Sequence, residues 1–231
     1  TTGGSNVALG SSALDANTTA SHNTAIGVSA LSENTTGTQN TACGGNSLDA
    51  NTTGNYNSAL GRGSLGANTT GNYNTALGAY ASEANIVGDT NVAVGYEALK
   101  TNTDSDHNTA VGYQALKLYD NSTDNFNSYN TAFGFQSGLN TTGAANRNTF
   151  VGGLSGSSNT TAELNTVVGY YALGVNETGS QNVAIGAYCL DAYTGANTVG
   201  VGESCLSSLS TGIENTAVGW EAAKLSPTGA N

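Results

Sequence analysis

Eight asparagines stand in the pattern Asn-x-Ser/Thr: Asn17, Asn34, Asn51, Asn68, Asn121, Asn140, Asn159 and Asn176. That pattern is the acceptor for N-linked glycans, which would decorate one edge of the protein as a row. The same letters, "NTTG", also make a good turn, because Asn and Gly tolerate positive φ. Aromatic side chains form a second set: Tyr80, Tyr96, Tyr113, Phe135, Tyr170, Tyr171, Tyr188 and Trp220. Such a stripe suits stacking on sugars or packing against a neighbouring chain, and any one ring equally suits corner packing within the chain. As a set they read as an interface. Cys189 and Cys205 recur at one position of neighbouring repeats, in range of a disulfide and equally consistent with two buried thiols. Cys43 reads as a small core hydrophobe.

Other chemistry is sparse. His22 and His107 occupy the same repeat position five repeats apart, too far to act together. "DSDHN" (Asp104 to Asn108) has acidic spacing but lacks the glycine and distal glutamate of a calcium loop, so it reads as a solvated acidic loop. No Ser-His-Asp, paired-carboxylate or Cys-His constellation stands out, so no catalytic, cofactor-binding or metal-ligating residue is expected. Charged residues are only 9% of the chain, against about 25% in ordinary domains. The net charge is −11, and the five cations (Arg62, Lys100, Lys117, Arg147, Lys224) are scattered, which argues against nucleic-acid binding. No run is apolar and long enough for membrane insertion. The first residues already belong to the repeat, so any export signal is expected to have been removed or to lie elsewhere.

The elements that must position these residues come from a repeat. Its anchor is the glycine closing each "NTAxG": Gly10, Gly27, Gly44, Gly61, Gly78, Gly95, Gly112, Gly134, Gly152, Gly169, Gly186, Gly202 and Gly219. Nine of the twelve spacings are 17 residues, and the others are 22, 18 and 16. The longest spacing contains residues 117–129, which read as an inserted polar loop. One residue before the anchor, every side chain is apolar; two before, ten of thirteen are Ala; four before, all but Thr198 are Asn; four after, nine are Leu. The five-residue core alternates like a short strand, and "NTTG" supplies a turn. A period of 17 is too short for a helical repeat. It predicts an all-β, parallel β-solenoid of about 13 coils, residues 1–231, in which Asn ladders and apolar columns stack. The apolar and Leu columns favour Val and Leu inside, with Ala, Asn and Gly as a flat outer face; a coil too flat for large residues would reverse this.

"NTAVGYQAL" (Asn108 to Leu116), "NTAIGVSAL" (Asn23 to Leu31) and "NVAIGAYCL" (Asn182 to Leu190) resemble the head repeats of trimeric autotransporter adhesins, the YadA-like heads, and similar repeats of phage tail fibres. The resemblance covers nearly the whole chain. It implies a left-handed parallel β-roll, commonly trimeric, on a cell or virion surface. The 17-residue period is longer than is typical of those heads, and no coiled-coil stalk or membrane anchor accompanies the repeat.

The two ends also match. Gly229 to Asn231 followed by Thr1 to Gly10 reads "GANTTGGSNVALG", close to "GANTTGNYNTALG" at Gly66 to Gly78. With ordinary columns at both ends and no atypical capping repeat, the chain reads as one segment of a longer array or of an end-to-end fibre. The expected function is an extracellular structural rod that partners with itself, end to end or as a homotrimer. The alternative is an adhesin or fibre head whose aromatic flank binds a receptor or surface glycan. Ice binding through the Thr column is weaker, because each Thr shares its face with the apolar column.

Overall fold

A computed structural model describes residues 2–120 and 127–225. It contains thirteen strands: β1 (Val7–Leu9), β2 (Thr24–Ile26), β3 (Thr41–Cys43), β4 (Ser58–Leu60), β5 (Thr75–Leu77), β6 (Val92–Val94), β7 (Thr109–Val111), β8 (Thr131–Phe133), β9 (Thr149–Val151), β10 (Thr166–Val168), β11 (Val183–Ile185), β12 (Val199–Val201) and β13 (Thr216–Val218). They form one parallel sheet in sequence order, so each coil hydrogen-bonds only to the coils before and after it. This is the β-solenoid that the repeat predicts. Register follows the columns: Ala8 pairs with Ala25 and Leu9 with Ile26. The 22-residue spacing does not disturb it, since Ala110 still pairs with Ala132. The extra length is carried between β7 and β8, where residues 121–126 lie outside the described residues. Of the matching ends, Thr1 and Gly229 to Asn231 lie outside them too, while residues 2–10 are described.

Hydrogen bonding continues round the coil beyond the three-residue strands. Leu31 N–H donates to Ser47 C=O at 3.0 Å, Glu33 to Asp49 at 3.0 Å and Thr35 to Thr52 at 3.1 Å. Backbone groups on every side of the rod are thereby satisfied by the next coil. The corner after each strand is made by left-handed residues. The nine leucines four residues after the anchor have φ of 48–57°. That conformation costs a non-glycine residue about 1–2 kcal/mol. Burial of the Leu side chain, at about 1.5–3 kcal/mol, offsets it in eight of the nine, Leu14 being only partly buried.

The anchor glycines are fixed by a close approach. Their φ lies between 128° and 142°. A Cβ on Gly112 would overlap the carbonyl of Gly134, and the same holds from coil to coil. Only hydrogen at this position lets the backbones stack at strand spacing.

The expectation that Val and Leu fill the interior is half corrected. The Leu column is buried, but its opposite wall is the Ala column, from Ala25 to Ala184, not the Val/Ile column. The coil is too thin to hold two large side chains across it. Thr and the apolar residue before the anchor therefore share the outer face, exemplified by Thr24 and Ile26 in β2. Two departures follow the same volume rule. Phe150 replaces Ala in the thin wall, and the Leu positions beside it are Gly138 and Gly156, both in contact range of its ring. Gly200 replaces Ala where a Cβ would lie 2.7 Å from the Cys189 sulfur.

Candidate functional site

The asparagine columns are interior structure. In the column before each strand, Asn40 N–H donates to Asn23 Oδ1 at 2.8 Å and Asn57 N–H to Asn40 Oδ1 at 2.9 Å. Each amide also donates across the coil, as Asn40 Nδ2 does to Gly54 C=O at 2.8 Å. The second column holds the sequons. Asn51 Nδ2 donates to Asn34 Oδ1, Asn68 Nδ2 to Asn51 Oδ1 and Asn85 Nδ2 to Asn68 Oδ1, all at 2.8 Å. Asn34, Asn51, Asn68, Asn159 and Asn176 are buried, while Asn17 and Asn140 are partly so. A glycan on any of the buried amides would have to displace the ladder, which favours the turn reading of "NTTG" over the glycan edge. Asn121 lies outside the described residues. The ladder ends where Tyr119 takes the column, and Asn102 Oδ1 there is left without a hydrogen-bond partner. Tyr193 fills the same column further on, with its hydroxyl 2.7 Å from Gly212 C=O.

The aromatic set divides into two rows and one isolated ring. Tyr96 stacks on Tyr113 with centroids 5.5 Å apart and planes 16° from parallel, and Tyr113 stacks on Phe135 at 5.4 Å and 9°. Tyr80 meets Tyr96 edge-on at 6.2 Å. Tyr170, Tyr171 and Tyr188 form the second row, with Tyr170 and Tyr188 at 5.5 Å and 77°. Trp220 is 72% exposed. In the Tyr96–Tyr113–Phe135 stack the ring faces look at each other along the rod. A sugar ring meets only their edges, so the row serves coil-to-coil adhesion better than face-on sugar stacking. A further ladder was missed in the sequence. Tyr56 and Tyr73 stack at 4.9 Å and 5°, and His107 stacks on Tyr129 at 4.9 Å. The signal was "GNYN" recurring at one period, five residues before the anchor.

Charge concentrates at Glu97. Its carboxylate accepts from Lys100 Nζ at 2.8 Å, Lys117 Nζ at 2.7 Å and Gln114 Nε2 at 2.9 Å. Hydrogen bonds from Lys100 and then Lys117 hold its pKa down at about 2, against the opposing effect of burial. In the "DSDHN" segment Asp106 Oδ1 accepts the Asp89 N–H at 2.6 Å, and burial raises the pKa of both Asp104 and Asp106. Among the described residues no group of three or more His, Cys, Asp or Glu is placed to hold a metal ion.

Cys189 and Cys205 are buried free thiols rather than a disulfide. Burial, then the neighbouring Cys205, pushes the Cys189 thiol up to about 12, and burial also raises Cys205. Cys43 is not a core residue: it lies half-exposed on the outer face in the apolar column.

That outer face is exposed along the rod. Its apolar column includes Leu9 at 66% exposure, Leu60 at 49%, Phe133 at 58% and Val218 at 70%. Thr and Ser lie beside it in the alternating pattern of the strands. Across β3 to β5, Thr41, Cys43, Leu60, Thr75 and Leu77 line a shallow apolar groove of about 240 Å3. No protein-family model matches the chain, and the searches of curated proteins and of solved structures returned no match.

Proposed function

We propose that this chain is an extracellular or cell-surface structural rod, and that it packs side by side with copies of itself through the Thr/apolar face. One observation carries the reading: the outward strand residues form an unbroken apolar column along all thirteen strands, beside a column of Thr, Ser and Val. Twelve steps at about 4.8 Å make that face about 58 Å long. At about 10 Å wide it offers about 600 Å2 per copy, or about 1,200 Å2 across a pair, at the lower end of specific interfaces. Two such faces mate in the manner of stacked sheets, whose side chains interdigitate across about 10 Å. A pair near the lower size limit gains from a third copy, which is the arrangement that the resemblance to trimeric heads implies. The role is mechanical: ladders of backbone and Asn amides stiffen the rod, and its flanks remain free to meet a surface.

The test is the solution mass of the native chain against Ile26→Lys/Val111→Lys/Ile185→Lys. The wild type is expected at a multiple of 23.0 kDa and the variant at 23.0 kDa, with circular dichroism unchanged. A wild type that stays at the monomer mass at high concentration sinks the lateral reading.

A further inference from the structure

A notch opens on a different flank from the Thr/apolar face. In the coil that begins with β4, Gly63 and Gly66 stand where the neighbouring coils carry side chains: Asn46 and Asp49 on one side, Tyr80 and Glu83 on the other. With both side chains missing from one coil, a recess of about 370 Å3 is left, floored by glycine backbone. A carboxylate stands at each end, Asp49 and Glu83, about two coil steps or about 9.6 Å apart along the rod. Asn46 Nδ2 donates to Asp49 Oδ2 at 3.3 Å, and Lys100 lies 3.4 Å from Glu83. Arg62 stands at the rim with no ion pair among the described residues, its guanidinium 5.9 Å from the Tyr80 centroid. The ring of Tyr80 closes the recess over Gly63, where an added Cβ would lie 3.0 Å from Cδ1.

We infer that this notch is a binding site for one uncharged pyranose unit, such as the terminal sugar of a surface glycan. The size is at the small end of ligand sites and exceeds what an ion needs. Lys100 neutralises Glu83, and Arg62 balances Asp49, so the recess has no excess of cations to draw a phosphate or carboxylate ligand. Separate sugar hydroxyls donate to Asp49 and Glu83, another accepts from Arg62, and the sugar's C–H edge meets the Tyr80 ring beside Lys100, whose Nζ stands 5.3 Å from the ring centroid. The carboxylates are too far apart to share one cation. The inference does not rest on lateral assembly.

Saturation-transfer NMR on the full chain tests it, with glucose, galactose, mannose and N-acetylglucosamine as probes and glucuronate as the charged comparison. At least one neutral sugar is expected to receive saturation, with glucuronate weaker. Gly66→Gln refills the notch: its backbone is not left-handed, and the nearest atoms to a Cβ there are 3.2 Å and 3.5 Å away. It should cut the response at least tenfold while leaving the melting curve in place. Asp49→Ala should also weaken it, and Asp15→Asn, in the same column without the glycines, should not. No response from any neutral sugar overturns the inference, as does a response that survives both Gly66→Gln and Asp49→Ala. A stronger response from glucuronate overturns it as well.

Discussion

Gly138 lies against Phe150, and a Cβ added to Gly138 would stand 2.7 Å from the ring's Cδ2. Gly156 makes the same accommodation from the following coil, although both glycines occupy the column that elsewhere holds Leu. Two Leu positions have become glycine while Phe150, and Val167 in the next coil, stand in the Ala wall, so bulk has moved across the coil and part of the lost volume is refilled. Phe150→Ala alone should cost about 3–5 kcal/mol, because no neighbour can fill the space. Gly138→Leu alone should also destabilise, by overpacking. The triple variant Phe150→Ala/Gly138→Leu/Gly156→Leu restores the ordinary coil and should melt at or above the wild type. Thermal unfolding of the variants checks this, and additive losses in the triple variant would refute the exchange.

The anchor glycines make a second contrast. Gly112→Ala drives a methyl into the Gly134 carbonyl, whereas at Gly219 the nearest atom to a Cβ is Ala222 Cβ at 3.8 Å. Both positions have strained φ, 137° and 130°. Gly219→Ala should therefore cost about 1–2 kcal/mol from strain alone, and Gly112→Ala about 3 kcal/mol or more. Urea unfolding of the two variants would show equal losses if close coil approach were unimportant.

These cases show what was legible in the sequence. The period, the parallel stacking, the anchor glycines and the Asn ladders follow from columns, because a solenoid places each residue above its own type. The inward face did not follow. Alternation puts Thr and Val on one side and Ala on the other, but only coil thickness decides which side closes. The sequons left two readings open for a related reason: "NTTG" at Asn34 or Asn51 reads the same whether the amide faces water or the next amide. The notch was hidden because Gly63 and Gly66 signal by what is missing from two columns.

Glu97 sets a pH dependence. Its carboxyl is held at about 2 in the fold, against an ordinary value of 4.5. A depressed folded pKa gives stability that is fully present above the unfolded value. That stability is lost as pH falls from about 4.5 toward 2. Screening at the partly exposed lysines reduces the contribution to about 2 kcal/mol. Glu97→Gln should therefore be less stable than wild type at pH 7, and the two melting curves should converge near pH 2. A gap that persists unchanged at pH 2 would place the effect in packing instead.

The cysteines separate by face. Cys43 sits half-exposed on the outer sheet, while Cys189 and Cys205 are buried. The thiolate is the reactive form, and burial pushes the Cys189 thiol up to about 12. Iodoacetamide at pH 8 should label Cys43 in the native monomer, with Cys189 and Cys205 labelled only after unfolding. Lateral packing covers the Thr/apolar face, so Cys43 labelling should also slow as the chain concentration rises. Peptide mapping of the alkylated protein reads both effects. Labelling of Cys189 at the rate of Cys43 would mean that the interior opens, and a Cys43 rate independent of concentration would mean that the face stays uncovered.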